Sequence, residues 1–133
     1  MSTTVTSEWS GAVQFSVMVM PFPGVEKAKL LASDPATADY FGTSVSLSSD
    51  GNTALIGAYN KTVTASGQGA AYVFTRSGST WAQQAKLLAS DPAAYDSFGY
   101  SVSLSSDGST ALIGAYSKAG TAGSYRGAAY VFT

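Results

Sequence analysis

A 31-residue stretch, Lys29–Tyr59, returns as Lys86–Tyr116 with only five substitutions, 57 residues further along the chain. A second block, Gly69–Thr75 (GAAYVFT), returns as Gly127–Thr133 at an offset of 58, so the connecting segment carries one extra residue in the second copy. Repetition at a fixed period of this length marks architectures in which one supersecondary unit cannot bury its apolar surface alone and stacks on its neighbours. A fainter third copy lies upstream. Ala28–Asp34 is identical to Ala85–Asp91, and Gly11–Val17 loosely echoes Gly69–Thr75. The 133 residues suffice for one ordinary domain and are too few for two large ones.

Each unit reads as four strands. Over Thr43–Ser48, Val45 and Leu47 alternate with serines; Asp50-Gly51 then supplies a hairpin signal, and Thr53–Tyr59 is the second strand. A polar, Gly-bearing loop leads to the third strand, Ala70–Arg76. Ser77-Gly78-Ser79 makes a tight turn into the fourth, Trp81–Ala89. No window holds apolar residues at helical spacing. The second and third strands place apolar side chains on both faces, whereas a sheet with one wet face would alternate cleanly. Four short antiparallel strands covered on both faces describe a blade of a β-propeller, so the fold class is all-β.

Composition narrows the chemistry. Charged residues make up 11% of the chain, net charge is −1, and there is no histidine and no cysteine. These features remove disulfides, thiolate metal sites, the usual zinc ligand and every Ser-His-Asp arrangement. Clustered Lys and Arg of the kind that holds nucleic acid or anionic lipid are absent too. The apolar run Ala12–Phe22 lacks a preceding basic residue and a clean cleavage site, and it is far short of the ~20 residues that span a bilayer. It reads as a strand rather than a leader, and no membrane insertion is expected.

Phe41-Gly42, then Ser44–Ala58 (SVSLSSDGNTALIGA), then Gly69–Phe74 (GAAYVF) together resemble the bacterial FG-GAP repeat. Phe98-Gly99 through Ala115, with Gly127–Phe132, matches it again, so the resemblance covers about residues 25–133. The family is similar to the blades of integrin α-chain propellers and implies an adhesion or binding scaffold. Calcium-binding members carry several carboxylates in the loop between the first two strands. Here each such loop has one, Asp50 or Asp107. Calcium takes six to eight oxygens, so these two are weak calcium candidates and a hairpin turn accounts for them better. No cofactor is expected.

Six of the eight acidic residues form repeat pairs: Asp34/Asp91, Asp39/Asp96 and Asp50/Asp107. The first pair precedes proline and starts turns. The second sits before Phe-Gly, where a carboxylate accepts backbone N–H bonds. Structural roles fit all of them, and no enzyme is expected. The recurring Phe41, Gly42, Phe98, Gly99, Tyr72, Phe74, Tyr130 and Phe132, with Leu30 and Leu31, are the expected core and interblade residues. Tyr40, Tyr95, Tyr100 and Tyr125 do not recur, so the scaffold does not require them and they are candidates to face a ligand.

The expected layout is an N-terminal arm with a degenerate strand over 1–24, then a two-blade segment over 25–133. Within it, 25–40 is a fourth strand (Val25–Ala32) and linker, 41–97 is blade one, and 98–133 is blade two without its fourth strand. A neighbour's Val25–Ala32 is expected to complete blade two by strand exchange. Two blades per chain then give an even-bladed ring built as a homo-oligomer, with trimer or tetramer favoured. The function so implied is a non-catalytic structural or adhesive interaction module. It acts in an extracellular, cell-surface or virion-surface assembly, with another surface protein as partner. A lectin-like propeller binding glycan is the alternative.

Overall fold

The computed structural model describes residues 3–7, 15–19, 24–120 and 123–133. Nine strands are present among the described residues: β1 (Thr3–Ser7), β2 (Phe15–Val19), β3 (Phe41–Leu47), β4 (Thr53–Ala58), β5 (Ala70–Ser77), β6 (Thr80–Leu87), β7 (Phe98–Leu104), β8 (Ala111–Ala115) and β9 (Ala128–Phe132). They form three antiparallel sheets: the hairpin β1-β2, the four-stranded β3-β4-β5-β6 and the three-stranded β7-β8-β9. The run that reads as a strand near the N-terminus holds β2, which pairs Phe15 with Ser7 and Val19 with Thr3.

Both larger sheets are meanders with one register. Val45 faces Ile56, Ile56 faces Tyr72, and Tyr72 faces Lys86 in blade one. Val102 faces Ile113, and Ile113 faces Tyr130 in blade two. Because side chains alternate between faces, that register gives each blade two distinct sides. The front of blade one carries Val45, Leu47, Ala54, Ile56, Tyr72 and Phe74. Its back carries Ser44, Ser46, Leu55, Gly57, Ala71 and Val73. The front of blade two stacks on the back of blade one. Leu55 and Ala71 from one side and Phe98, Ala111, Ile113 and Ala115 from the other make one buried cluster, with Ala89 from the connection. A second cluster, on the front of blade one, is built from Ala32, Ala54, Ile56, Ala58, Ala70, Tyr72 and Phe74.

The Phe-Gly pair works as a unit at the start of each blade. Pairing slips between Phe41 and Ser44, and again between Phe98 and Ser101. Gly42 and Gly99 sit in those bulges at φ of 92° and 90°, a region where a Cβ would clash with its own carbonyl. The bulge turns the aromatic ring inward. Phe98 meets Tyr130 and Phe132 edge-on at centroid distances of 5.3 and 6.0 Å, and Phe41 meets Tyr72 and Phe74 in the same way at 5.5 and 6.1 Å.

Val25–Ala32 forms no strand within the chain; residues 24–40 contain none. A strand needs an edge to pair with, and the edge of blade one is already occupied by β6, which ends at Leu87 rather than Ala89. In the single chain Leu31 is 62% exposed, whereas its repeat counterpart Leu88 packs on the front of blade one.

Candidate interaction surfaces

The loops that enter each blade are held by a lysine clamp. Asp39 accepts a backbone bond from Ala36 N–H (2.8 Å) and an ion pair from Lys61 Nζ (2.9 Å). Lys61 is almost fully buried and also donates to the Asp34 carbonyl. Asp34 in turn accepts from Tyr72 Oη (2.9 Å) and Lys86 Nζ (2.7 Å). The second unit repeats the arrangement. Asp96 accepts from Ala93 N–H and Lys118 Nζ (both 2.8 Å), and Asp91 from Tyr130 Oη (2.7 Å). Burial raises the Asp34 carboxyl, but the Lys86 and Tyr72 bonds outweigh it and hold the group below the usual range. Burial and the bond to Asp91 push the Tyr130 hydroxyl up to about 12. Burial pulls the Lys118 ammonium down, yet its bonds to Asp96 and Asp91 leave it raised. These carboxylates serve as anchors for loops.

Asp50 and Asp107 close their own hairpins. Asp50 Oδ1 accepts from Ser48 Oγ (2.7 Å) and Asn52 N–H (2.9 Å). Asp107 Oδ1 accepts from Ser105 Oγ (2.7 Å) and from Ser109 N–H (3.0 Å) and Oγ (2.7 Å). The Ser105 bond first, then those from Ser109, lower the Asp107 carboxyl to about 2. Each turn thus spends its one carboxylate on itself, and no group of three acidic side chains gathers among the described residues.

Of the four non-recurring tyrosines, two are brought together and two are not. Tyr40 stacks on Tyr59 at 5.2 Å with planes 7° apart; Tyr59 meets Tyr100 at 5.3 Å, and Tyr100 meets Tyr116 at 4.5 Å. The result is a ladder of four rings along one rim, crossing from blade one to blade two, with Tyr40, Tyr100 and Tyr116 about half exposed. Tyr95 and Tyr125 are 63% and 77% exposed and stand outside it. Tyr95 lies beside Gly67 instead, with its own N–H bonded to the Ser66 carbonyl (2.8 Å).

Among the expected core residues, Tyr72, Phe74 and Phe98 are buried, while Leu30, Phe41, Tyr130 and Phe132 are half-buried against the two clusters. Sequence reasoning missed Lys61, Lys118, Gln68, Tyr59 and Tyr116. The lysines and the latter two tyrosines recur at the 57-residue offset, a signal that was available. Gln68 gave none. It is buried, and its Oε1 accepts from Thr64 N–H, Thr64 Oγ1 and Ala65 N–H, organising the one loop whose length differs between units.

A four-stranded and a three-stranded sheet stacked face to face, each entered by a bulged Phe-Gly pair, have the form of blades in a propeller-type interaction module. The FG-GAP repeat matches the chain twice, at residues 25–74 and 81–132, and the chain belongs to that family. A search of curated proteins finds no match.

Proposed function

We infer that the chain is a non-catalytic structural and adhesive module of an extracellular, cell-surface or virion-surface assembly, presenting its tyrosine rim to another protein. The ladder Tyr40–Tyr59–Tyr100–Tyr116 carries this reading. Tyrosine offers a large, rigid, amphipathic contact at low entropic cost. A sugar platform needs a free ring face, and the Tyr40–Tyr59 stack takes up one face of each of those rings. The repeated carboxylates support the same conclusion, because each is committed to a loop or a turn and none is paired across an open cleft as acid–base chemistry requires. The lectin-like alternative draws on the same exposed rings. A glycan array separates the two. The expected outcome is no saccharide bound above background; a saccharide that binds the wild type and is lost with Tyr100→Ala replaces the adhesive reading with the lectin one.

A further inference from the structure

We propose that the back of blade two is a docking surface for the front of blade one of a second copy of this chain, in the register already seen between the two blades. The filled junction is the template. Across it Ser44 Oγ donates to the Gly99 carbonyl (2.7 Å), Leu104 N–H donates to Ser46 Oγ (3.0 Å), and Ser49 N–H donates to the Ser106 carbonyl (2.9 Å). Gly57 makes the approach possible: a Cβ there would stand 1.9 Å from the Gly99 carbonyl oxygen.

Apart from Ser49 and Ser106, which are each other's repeat counterparts and already joined, these groups have counterparts in Ser101, Ser103, Gly114, Gly42 and Leu47 that bond to no other blade among the described residues. On the back of blade two, Ser101, Ser103, Leu112, Gly114 and Val131 stand where Ser44, Ser46, Leu55, Gly57 and Val73 stand on blade one. Leu55 is fully buried, whereas Leu112 is 47% and Val131 is 65% exposed. Ser101, Ser103, Leu112 and Gly114, with Val102 and Ala129, line a shallow open groove. On the front of blade one, Val45 and Leu47 are 67% and 57% exposed, while Val102 and Leu104 are covered at the junction. Gly114 is the most telling position. Its φ is not positive, so the backbone does not require glycine. Within the chain a Cβ would meet only the mobile Ser101 Oγ at 2.3 Å. Docking gives the glycine its reason, since the Gly42 carbonyl of the second copy then sits over it and accepts from Ser101 Oγ.

The same displacement supplies the edge of β9, which has no partner among the described residues. Tyr72 pairs with Lys86 in blade one. Shifted by one unit, Tyr130 pairs with Lys29 of the second copy and Ala129 with its Leu30, and Lys29 reaches Asp91 as Lys86 reaches Asp34 at 2.7 Å. Residues 24–29 are exposed in the single chain and free to do this. Leu31 of the second copy then lies on the front of the first copy's blade two, the position its counterpart Leu88 occupies on blade one. The occupant is a second copy because both mating faces, the linking segment and the counter-ion all come from this sequence. The contact is head-to-tail, so it repeats and closes into a ring when the rotation allows. Six or eight blades correspond to three or four copies.

Native mass spectrometry and sedimentation on the 133-residue chain test this, with two variants: Val131→Lys, at a position 65% exposed in the single chain, and Gly114→Val, which within the blade requires the Ser101 hydroxyl to turn aside. The expected result is a closed assembly of two to four copies for the wild type, a monomer with an unchanged far-UV spectrum for each variant, and a partial loss of assembly for Lys29→Glu. A wild-type monomer overturns the proposal. So does an assembly that Gly114→Val leaves intact, since the mating face is then a different one.

Discussion

Asp34 and Asp91 tie the entry loop of each unit to a buried or half-buried lysine and to a tyrosine hydroxyl, so the ionisable groups of the clamp set how the protein responds to pH. Asp34, Asp50, Asp91 and Asp107 are all held below the usual carboxylate range. A depressed carboxyl contributes stability that is complete above its unfolded value of about 3.9 and is lost as pH falls through the folded value. Tyr72 and Tyr130 are raised, chiefly by burial and then by their bonds to Asp34 and Asp91. Their contribution is complete below an unfolded value of about 10 and is lost as pH rises through the folded one. Thermal melts should therefore show a plateau across neutral pH, a decline below about pH 4 that continues toward pH 2, and a second decline above about pH 10. A midpoint that rises on acidification from pH 4 to pH 3 would contradict the clamp.

At the scale of the strand, the repeat places two identical Phe-Gly bulges in unequal surroundings. Phe98 is fully buried between the blades, and Phe41 is only half-buried on an open face. Removing a buried ring costs its transfer free energy plus that of the cavity left behind, about 3–5 kcal/mol for Phe→Ala. In the Val131→Lys background, expected to keep the chain monomeric, Phe98→Ala should lose that amount in urea unfolding and Phe41→Ala distinctly less. Equal losses would mean that the front of blade one is covered in solution. Strand positions and hairpins were legible in the sequence because the period-2 pattern and the Asp-Gly and Ser-Gly turns act over a few residues. The fate of Val25–Ala32 was not legible. It repeats only the last three residues of β6, Ala85–Leu87, as Ala28–Leu30, and has no third strand beside it; strand formation is decided by the partner.

For the molecule as a whole, the loops of the family's calcium-binding members set the comparison. Here each β3–β4 or β7–β8 turn holds one carboxylate whose Oδ1 is already bonded to the turn itself. Calcium binding would have to break those bonds and still find most of its six to eight oxygens elsewhere. Melting in excess calcium and in EDTA should give the same midpoint; a gap of several degrees would show a cation site in these turns.

The sequence alone determined the repeat, the four-strand unit, the two-sided burial and the family, because all of these are written in local order and in the spacing of near-identical segments. Tertiary structure decided what identical residues do at different places. Leu55 and Leu112, Phe98 and Phe41, Leu88 and Leu31 are pairs with the same side chain and different exposure. Burial is a property of the neighbouring sheet, and no local pattern carries it. The lysine clamp and the tyrosine ladder escaped for the same reason. Lys61 reaches carboxylates 22 and 27 residues away, and Tyr59 joins Tyr40 to Tyr100 only once two blades stack.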